Sequence, residues 1–171
     1  ASASGILSGC DIYIDDTPNI TVTSMKAKLR RIKNLSFVVI DYLQLMVSEK
    51  RIDNRVQEIG DISRNLKLLA KELNVPVMVC AQLSRAPESR TGSQGKRPIL
   101  SDLRDSGAIE QDADVVMFLY RDDYYDESPE NANLAECIIA KNRHGDTSTV
   151  KLGWQGQHTR FFSIEQNYSG T

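Results

Sequence analysis

Two short apolar runs, Phe37-Val38-Val39-Ile40-Asp41 and Val75-Pro76-Val77-Met78-Val79-Cys80-Ala81-Gln82, flank a stripe of apolar residues at helical spacing, and this leaves few folds open. From about Asn54 to Leu73, the residues Val56, Ile59, Ile62, Leu66, Leu69, Ala70 and Leu73 recur every three or four positions. That period predicts one long helix with a single buried face. Apolar runs of this length, here Ser36 to Leu43 and Val77 to Gln82, predict strands buried on both faces of a parallel sheet. Strand, helix and strand in that order make a crossover unit.

Around this unit, Asp11 to Asp16 alternates weakly and predicts a strand, and Met25 to about Lys33 predicts a basic helix capped by Ser24. Arg85 to Pro98 is polar, with two glycines and two prolines, and predicts a mobile loop. Leu100 to Gln111 predicts a short helical stretch interrupted at Gly107, and Val115 to Tyr120 a third buried strand. Beyond the acidic Asp122 to Asn133 segment, Ala135 to Lys141, Thr147 to Leu152 and Arg160 to Ile164 predict hairpin strands separated by Gly145 and by Gly153 to Gln157. The predicted class is α/β: a mostly parallel sheet with flanking helices and a carboxyl-terminal antiparallel hairpin extension.

Length and composition fit one soluble domain spanning the 171 residues, with 40% hydrophobic and 26% charged residues; residues 1–10 and 165–171 are expected to be poorly ordered ends. A net charge of −2 gives no global attraction to polyanions, so any nucleic-acid binding needs a local patch. Cys10, Cys80 and Cys137 are odd in number and far apart, and with only His144 and His158 to assist them they predict neither zinc nor a disulfide framework. A reducing cytoplasm is the expected setting. No window approaches the roughly eighteen apolar residues of a membrane span, and Ala1-Ser2-Ala3-Ser4 has neither an initiator Met nor the features of a leader, so the chain reads as a fragment.

Chemistry is expected where apolar strands end, because ligands of parallel sheets sit beyond the carboxyl ends of the strands. Asp41 and Gln82 hold those positions. A carboxylate there can hold a water in the shell of a magnesium ion, and a neutral amide can sense a terminal phosphate without repelling it. There are plainer readings too: Asp41 as a turn or helix cap, and Lys141 and Arg143 as solvated bases at a strand end. Asp122, Asp123, Asp126, Glu127 and Glu130 lack any spacing that fixes a coordination geometry and read as a solvated loop. Trp154 and Phe161-Phe162 read as packing for the terminal hairpin, while Tyr124 and Tyr125 could lie against a nucleotide base.

Longer strings narrow the reading. FVVIDYLQLM (37–46), AQLSR (81–85), RPILSDLRDSGAIEQDADVV (97–116) and KNRHG (141–145) occur in one order, and together they closely resemble the carboxyl-terminal motor domain of the DnaB-type bacterial replicative DNA helicases. The resemblance runs from about Asp11 to Ser163 and implies a RecA-like fold, with ATP and Mg2+ as cofactors. By position it implies that Asp41 is the Walker B acid, acting on magnesium through the ion's water shell. It implies that Gln82 links the γ-phosphate to the DNA-binding loops. Lys141 and Arg143 match the pair that reaches a neighbouring subunit's nucleotide, Arg143 as the arginine finger. Arg104-Asp105-Ser106-Gly107 corresponds to the loop that holds single-stranded DNA by its phosphates; Asp105 stands where Glu is common in the family, and Gly107 would admit close backbone approach. Five bases from Arg85 to Arg104, against Glu88 and Asp102, would add a basic lining.

The resemblance further implies self-association into a hexameric ring, movement along single-stranded DNA, and primase and helicase-loader partners, with no membrane contact. No Gly-x-x-x-x-Gly-Lys-Ser/Thr string occurs; Gly92-Ser93-Gln94-Gly95-Lys96-Arg97 has the wrong spacing. In the resembled family that phosphate loop and the water-activating glutamate lie upstream of the segment matched here, and the phosphate-loop strand sits centrally in the sheet. A gap beside Val77 to Gln82 and poor stability of these residues alone are therefore expected. The alternative is a non-catalytic nucleic-acid-binding or ring-interaction module without a phosphate loop. A phosphoacceptor receiver domain, suggested by Asp15-Asp16, Asp41 and Lys141, fails because only about one helix fits between Asp16 and Asp41.

Overall fold

A computed structural model describes residues 5, 7–84, 86–91, 93–125 and 132–164; within these, the side chains of residues 86, 93, 94 and 104–106 are not described. The crossover unit forms as its pattern dictates. β1 (Val38–Ile40) leads through a short 3-10 turn (Leu43–Leu45) to a long helix, and β2 (Val77–Val79) follows it. β1 and β2 pair in parallel, Val38 with Val77, Val39 with Met78 and Ile40 with Val79. The preceding helix, α1 (Val22–Leu29), starts earlier than expected because Thr21, not Ser24, is its cap: the Thr21 hydroxyl accepts from the Ser24 amide.

The long helix, α2 (Arg55–Leu73), is bounded by two local devices. Asn54 accepts from the amides of Val56 and Gln57, and Asn74 ends the helix in the left-handed region at φ 52°. Its stripe of Ile59, Ile62, Leu66 and Leu69 packs with Val38 and Ile40, and with Met25, Leu43, Met46 and Val75. This is the larger core. The tail of each apolar run beyond Ile40 and Val79 leaves the ladder, so the strands are shorter than their hydrophobic extents.

Downstream, a short helix α3 (Ser93–Lys96) and a 3-10 segment (Leu100–Ser106) precede α4 (Gly107–Asp112). Four antiparallel strands follow: β3 (Val115–Tyr120), β4 (Leu134–Asn142), β5 (Ser148–Gln155) and β6 (Arg160–Ser163), in spatial order of sequence. Leu103, Val116 and Phe118 form a second core with Leu100, Ile138 and Ala140, and Ile109 of α4 packs against both cores. No described helix is long and apolar enough to cross a membrane.

Three further expectations need correction. Asp11 to Asp16 forms no strand: Ile14 is 90% exposed, and Asp15 instead accepts from the amide and hydroxyl of Thr17 and pairs with Lys28. A lone extended segment has no ladder to satisfy its backbone, and local side-chain bonds win. The segment after Ser84 is not an unstructured loop but contains two short helical turns, residues 86–89 and 93–96. Nor are the strands covered on both faces. Val39 and Met78 on one sheet, and Val115, Met117 and Leu119 on the other, alternate with more buried neighbours and face outward. Among the described residues, β1 and β2 pair in parallel, and β3 pairs antiparallel with β4. Residues 1–4, 6 and 165–171 lie outside the described residues; within the amino-terminal stretch, the Cys10 amide donates to Leu7 O at 3.1 Å.

Candidate active site

Asp41 and Gln82 emerge side by side in topology, each just past the carboxyl end of one of the two paired parallel strands, and both are exposed. Backbone bonds carry the pairing past the strands: Cys80 N donates to Ile40 O at 2.9 Å, and Leu43 N donates to Cys80 O at 2.8 Å. Gln44 then ties the two ends together. Its Nε2 donates to Gln82 O at 3.2 Å and its Oε1 accepts from Gln82 N at 3.3 Å. Arg55 in turn holds Gln44 O at 2.7 Å, which anchors the turn to the first residue of α2. Sequence reasoning missed Gln44. The signal lay inside FVVIDYLQLM, where a lone amide in an apolar string needs a polar partner.

No hydrogen bond or ion pair engages the Asp41 carboxylate among the described residues, so it is open to a solvated ion. No cluster of three or more His, Cys, Asp or Glu able to hold a metal occurs among those residues either. One free carboxylate at a strand end fits Mg2+, which keeps several waters and takes its remaining ligands from substrate phosphates. It does not fit a metal caged wholly by protein.

Lys141 and Arg143 belong to the other sheet and the turn that leaves it. They follow a β-bulge in β4: Val116 faces Lys141 but Met117 faces Ile139, leaving Ala140 as the extra residue. A bulge bends the strand and re-aims the side chains beside it. Lys141 Nζ donates to Glu110 O, and Arg143 Nη2 donates to Gln111 O at 3.0 Å, so both bases rest on carbonyls in the last turn of α4. Helix carbonyl ends attract cations. The remainder of KNRHG builds the turn: Asn142 Nδ2 donates to Asp146 O at 3.3 Å, and Asn142 Oδ1 accepts from His144 N. A Cβ on Gly145 would sit 2.8 Å from Asn142 Nδ2, so a side chain there would displace the Asn142 amide. No hydrogen bond or ion pair joins Asp41 and Gln82 to Lys141 and Arg143 among the described residues.

Arg104 and Asp105 fall in the 3-10 segment before α4, and their side chains lie outside the described residues. Gly107 opens α4 at φ −51°, an ordinary helical value, and nothing lies within 4 Å of a Cβ built on it. Open space, not backbone conformation, is what this glycine offers. The expected basic lining is largely committed elsewhere. Arg90 is paired with Asp102, Arg97 with Glu136, and Lys96 lies over the Tyr125 ring at 4.8 Å; Arg85 lies outside the described residues. Counting bases in a segment overstated its free charge.

The acidic stretch is equally committed where it is described. Asp123 receives a forked pair of bonds from Arg121, and Asp122 accepts from the Tyr120 hydroxyl at 2.8 Å. Burial, then the Asp122 carboxylate, pushes the Tyr120 phenol well above its usual range. Asp126, Glu127 and Glu130 lie outside the described residues. Tyr125 stacks on Tyr120 and meets the edge of Tyr124, while Trp154 packs on Phe161 at 4.7 Å as expected for the terminal hairpin.

The fold that carries these residues is shared with known proteins. The DnaB-like helicase C terminal domain family matches residues 1–163. The chain belongs to that family. Curated relatives include replicative DNA helicase DnaB of Geobacillus stearothermophilus and replicative DNA helicase DnaC of Bacillus subtilis (strain 168), each 52% identical over 170 residues. Those alignments take in 97% of this chain but 37% of either relative, so the chain spans little more than a third of their length. Among solved structures, a DnaB-like replicative helicase described with its primase interactions superposes with TM-score 0.88 at 44% identity, over 96% of this chain and 41% of that one. A second solved structure, an ATPase domain, also gives TM-score 0.88, at 45% identity, over 96% of this chain and 58% of that one. A RecA-like α/β fold is thereby the setting of the strand ends described above.

Proposed function

We propose that this chain is the magnesium, sensor, DNA-loop and finger portion of an ATP-driven replicative DNA helicase, acting within a longer protein that supplies the phosphate-binding loop. The observation that carries the reading is the pair of parallel strand ends, where the turn after Asp41 is tied to the Gln82 backbone through Gln44 and both side chains are exposed. Family membership and relatives named as replicative helicases support it.

In this reading Asp41 would hold a water in the shell of Mg2+, and the ion would supply charge neutralisation for phosphoryl transfer. Gln82 senses the γ-phosphate. Its backbone is clamped by Gln44, so a shift of the amide is passed to the β1 turn and, through Arg55, to α2. Lys141 and Arg143 serve the nucleotide of a neighbouring subunit in a hexameric ring, where a guanidinium stabilises the spread transition-state charge. Arg104, Asp105 and Gly107 hold the phosphates of single-stranded DNA, so that hydrolysis at each interface moves the strand. Primase and a helicase loader are the proposed partners, and the cytoplasm is the proposed setting. A superposed DnaB-like helicase is described with primase interactions, which supports the first of these.

The test is ATP hydrolysis with and without single-stranded DNA, using this chain alone and the chain extended upstream through a phosphate-loop segment. DNA-stimulated turnover only in the extended form, lowered about 1,000-fold or more by Arg143→Ala, is the expected result. DNA binding without hydrolysis in either form would overturn it in favour of a non-catalytic binding module.

A further inference from the structure

Arg143 is aimed by more than the carbonyl of Gln111. Asp114, a residue between α4 and β3, stands opposite it across the β3–β4 ladder: Arg143 N donates to Asp114 O at 2.8 Å, and Arg143 Nε lies 3.6 Å from Asp114 Oδ1. The other carboxylate oxygen, Oδ2, pairs with Lys67 Nζ of α2. Asp114 is thus held from behind by a helix and faces the finger in front.

The face of α2 that meets this region is built for the purpose. Gly60 lets α4 approach, since a Cβ there would stand 3.2 Å from the Ala108 Cβ. One turn on, Ser63 Oγ donates to Asp112 Oδ2 at 2.9 Å, and a further turn on Lys67 reaches Asp114. Residues spaced 60, 63 and 67 share one face of a helix. They grip α4 and its carboxyl-terminal exit, while the same α4 begins at Gly107, among the residues assigned to DNA. Lys67 first, then Arg143 and His144, hold the Asp114 carboxyl below its ordinary range, so the group remains an anion wherever the motor works.

We infer that Asp114, braced by Lys67, is a positioning residue for the Arg143 finger, and that with α4 it links the DNA-binding loop of a subunit to the finger that subunit offers its neighbour. The inference rests on the reading of Arg143 given above. An arginine side chain has several rotatable bonds, and a half-exposed one acting across an interface gains from being pre-aimed. An ion pair on one side and a helix carbonyl on the other restrict the torsions that matter. Because Gln111 lies in α4 and Asp114 two residues beyond its end, a displacement of the loop that leads into α4 would reach the finger without passing through Gln82.

The experiment uses the extended, ring-forming protein and a double-mutant cycle. Asp114→Asn is expected to lower DNA-stimulated kcat about tenfold, with KM for ATP, DNA affinity and the melting temperature of the ring little changed. Asp114→Glu is expected to restore part of that loss. Arg143→Ala combined with Asp114→Asn is expected to be no worse than Arg143→Ala alone, because a residue acting only through Arg143 has nothing left to act on. Full additivity of the two losses, or an unchanged kcat in Asp114→Asn, overturns the inference while leaving the finger in place. No loss in Arg143→Ala would instead overturn the finger itself. Should Asp114→Asn fail to assemble, Lys67→Gln decides: a lower kcat that disappears in the Arg143→Ala background supports the positioning role, and an unchanged kcat overturns it.

Discussion

Individual side chains show how differently charge is used here on the surface and in the interior. Asp15 lies at the surface, yet Lys28, and then Thr17 through its hydroxyl and amide, hold its carboxyl down to about 2. A carboxylate with a depressed folded value stabilises the fold above its ordinary value of 3.8, and that contribution is lost as pH falls toward 2. An NMR titration should place the Asp15 midpoint near 2 and return it toward 3.8 in Lys28→Met; an unshifted midpoint in the parent would show that the local pairing does not persist in solution. Asp102 is the opposite case, only 1% exposed, with its carboxylate held by Arg90 and by the Ile99 amide at 2.8 Å. Arg90→Met would leave a buried anion without its cation, an expected loss of about 3 kcal/mol in denaturant unfolding. A change near zero would mean that the pair contributes no more than a surface bridge.

Among the elements, the terminal hairpin depends on an exchange between a glycine and an aromatic ring. Gly153 stands directly across from Phe162, and a Cβ on Gly153 would run into the end of that ring. Phe162 therefore occupies the space that a side chain at 153 would take. In Gly153→Ala the ring must swing off the sheet, and about 1 kcal/mol of cross-strand packing is expected to go with it. Thermal melting of Gly153→Ala against Phe162→Leu measures this; the two effects should overlap when combined, and independent effects would count against the contact. The long helix works at the same scale, but with two faces in use. Ile59, Ile62, Leu66 and Leu69 bind it to the larger core, whereas Gly60, Ser63 and Lys67 bind it to α4 and the residues that follow it.

Across the whole molecule, two sheets stand where one continuous sheet would bury more. Among the described residues β2 has β1 as its strand partner and β3 has β4, so each keeps one edge unpaired. Val39, Met78, Val115, Met117 and Leu119 leave an apolar face outward on both sheets. Unpaired edges and apolar patches of this kind favour association and weaken cooperativity. The 171 residues alone are therefore expected to bind a hydrophobic dye and to unfold over a broad temperature range, and extension upstream should sharpen the transition and suppress dye binding. A sharp, cooperative melt of the unextended chain would defeat this expectation.

Periodicity and punctuation carried most of the architecture. The three- and four-residue spacing from Val56 to Leu73, bounded by Asn54 and Asn74, determined a helix because one apolar face and two caps agree on it, and glycine-separated strands determined the hairpins. Strand ends were legible for the same reason, so Asp41 and Gln82 could be picked out as candidates from apolar runs alone. What a linear pattern does not contain is who stands opposite whom. Only the tertiary structure decided that Gln44 bridges the two strand ends, that Arg90 and Arg97 are spent on Asp102 and Glu136, and that Asp11 to Asp16 finds no ladder. These are long-range pairings, set by cross-strand register and helix docking, and a charge or an amide acquires its role from the partner the fold brings to it. The link from Lys67 through Asp114 to Arg143 is of that kind: three residues far apart in the chain, joined because α2, the end of α4 and the end of β4 meet.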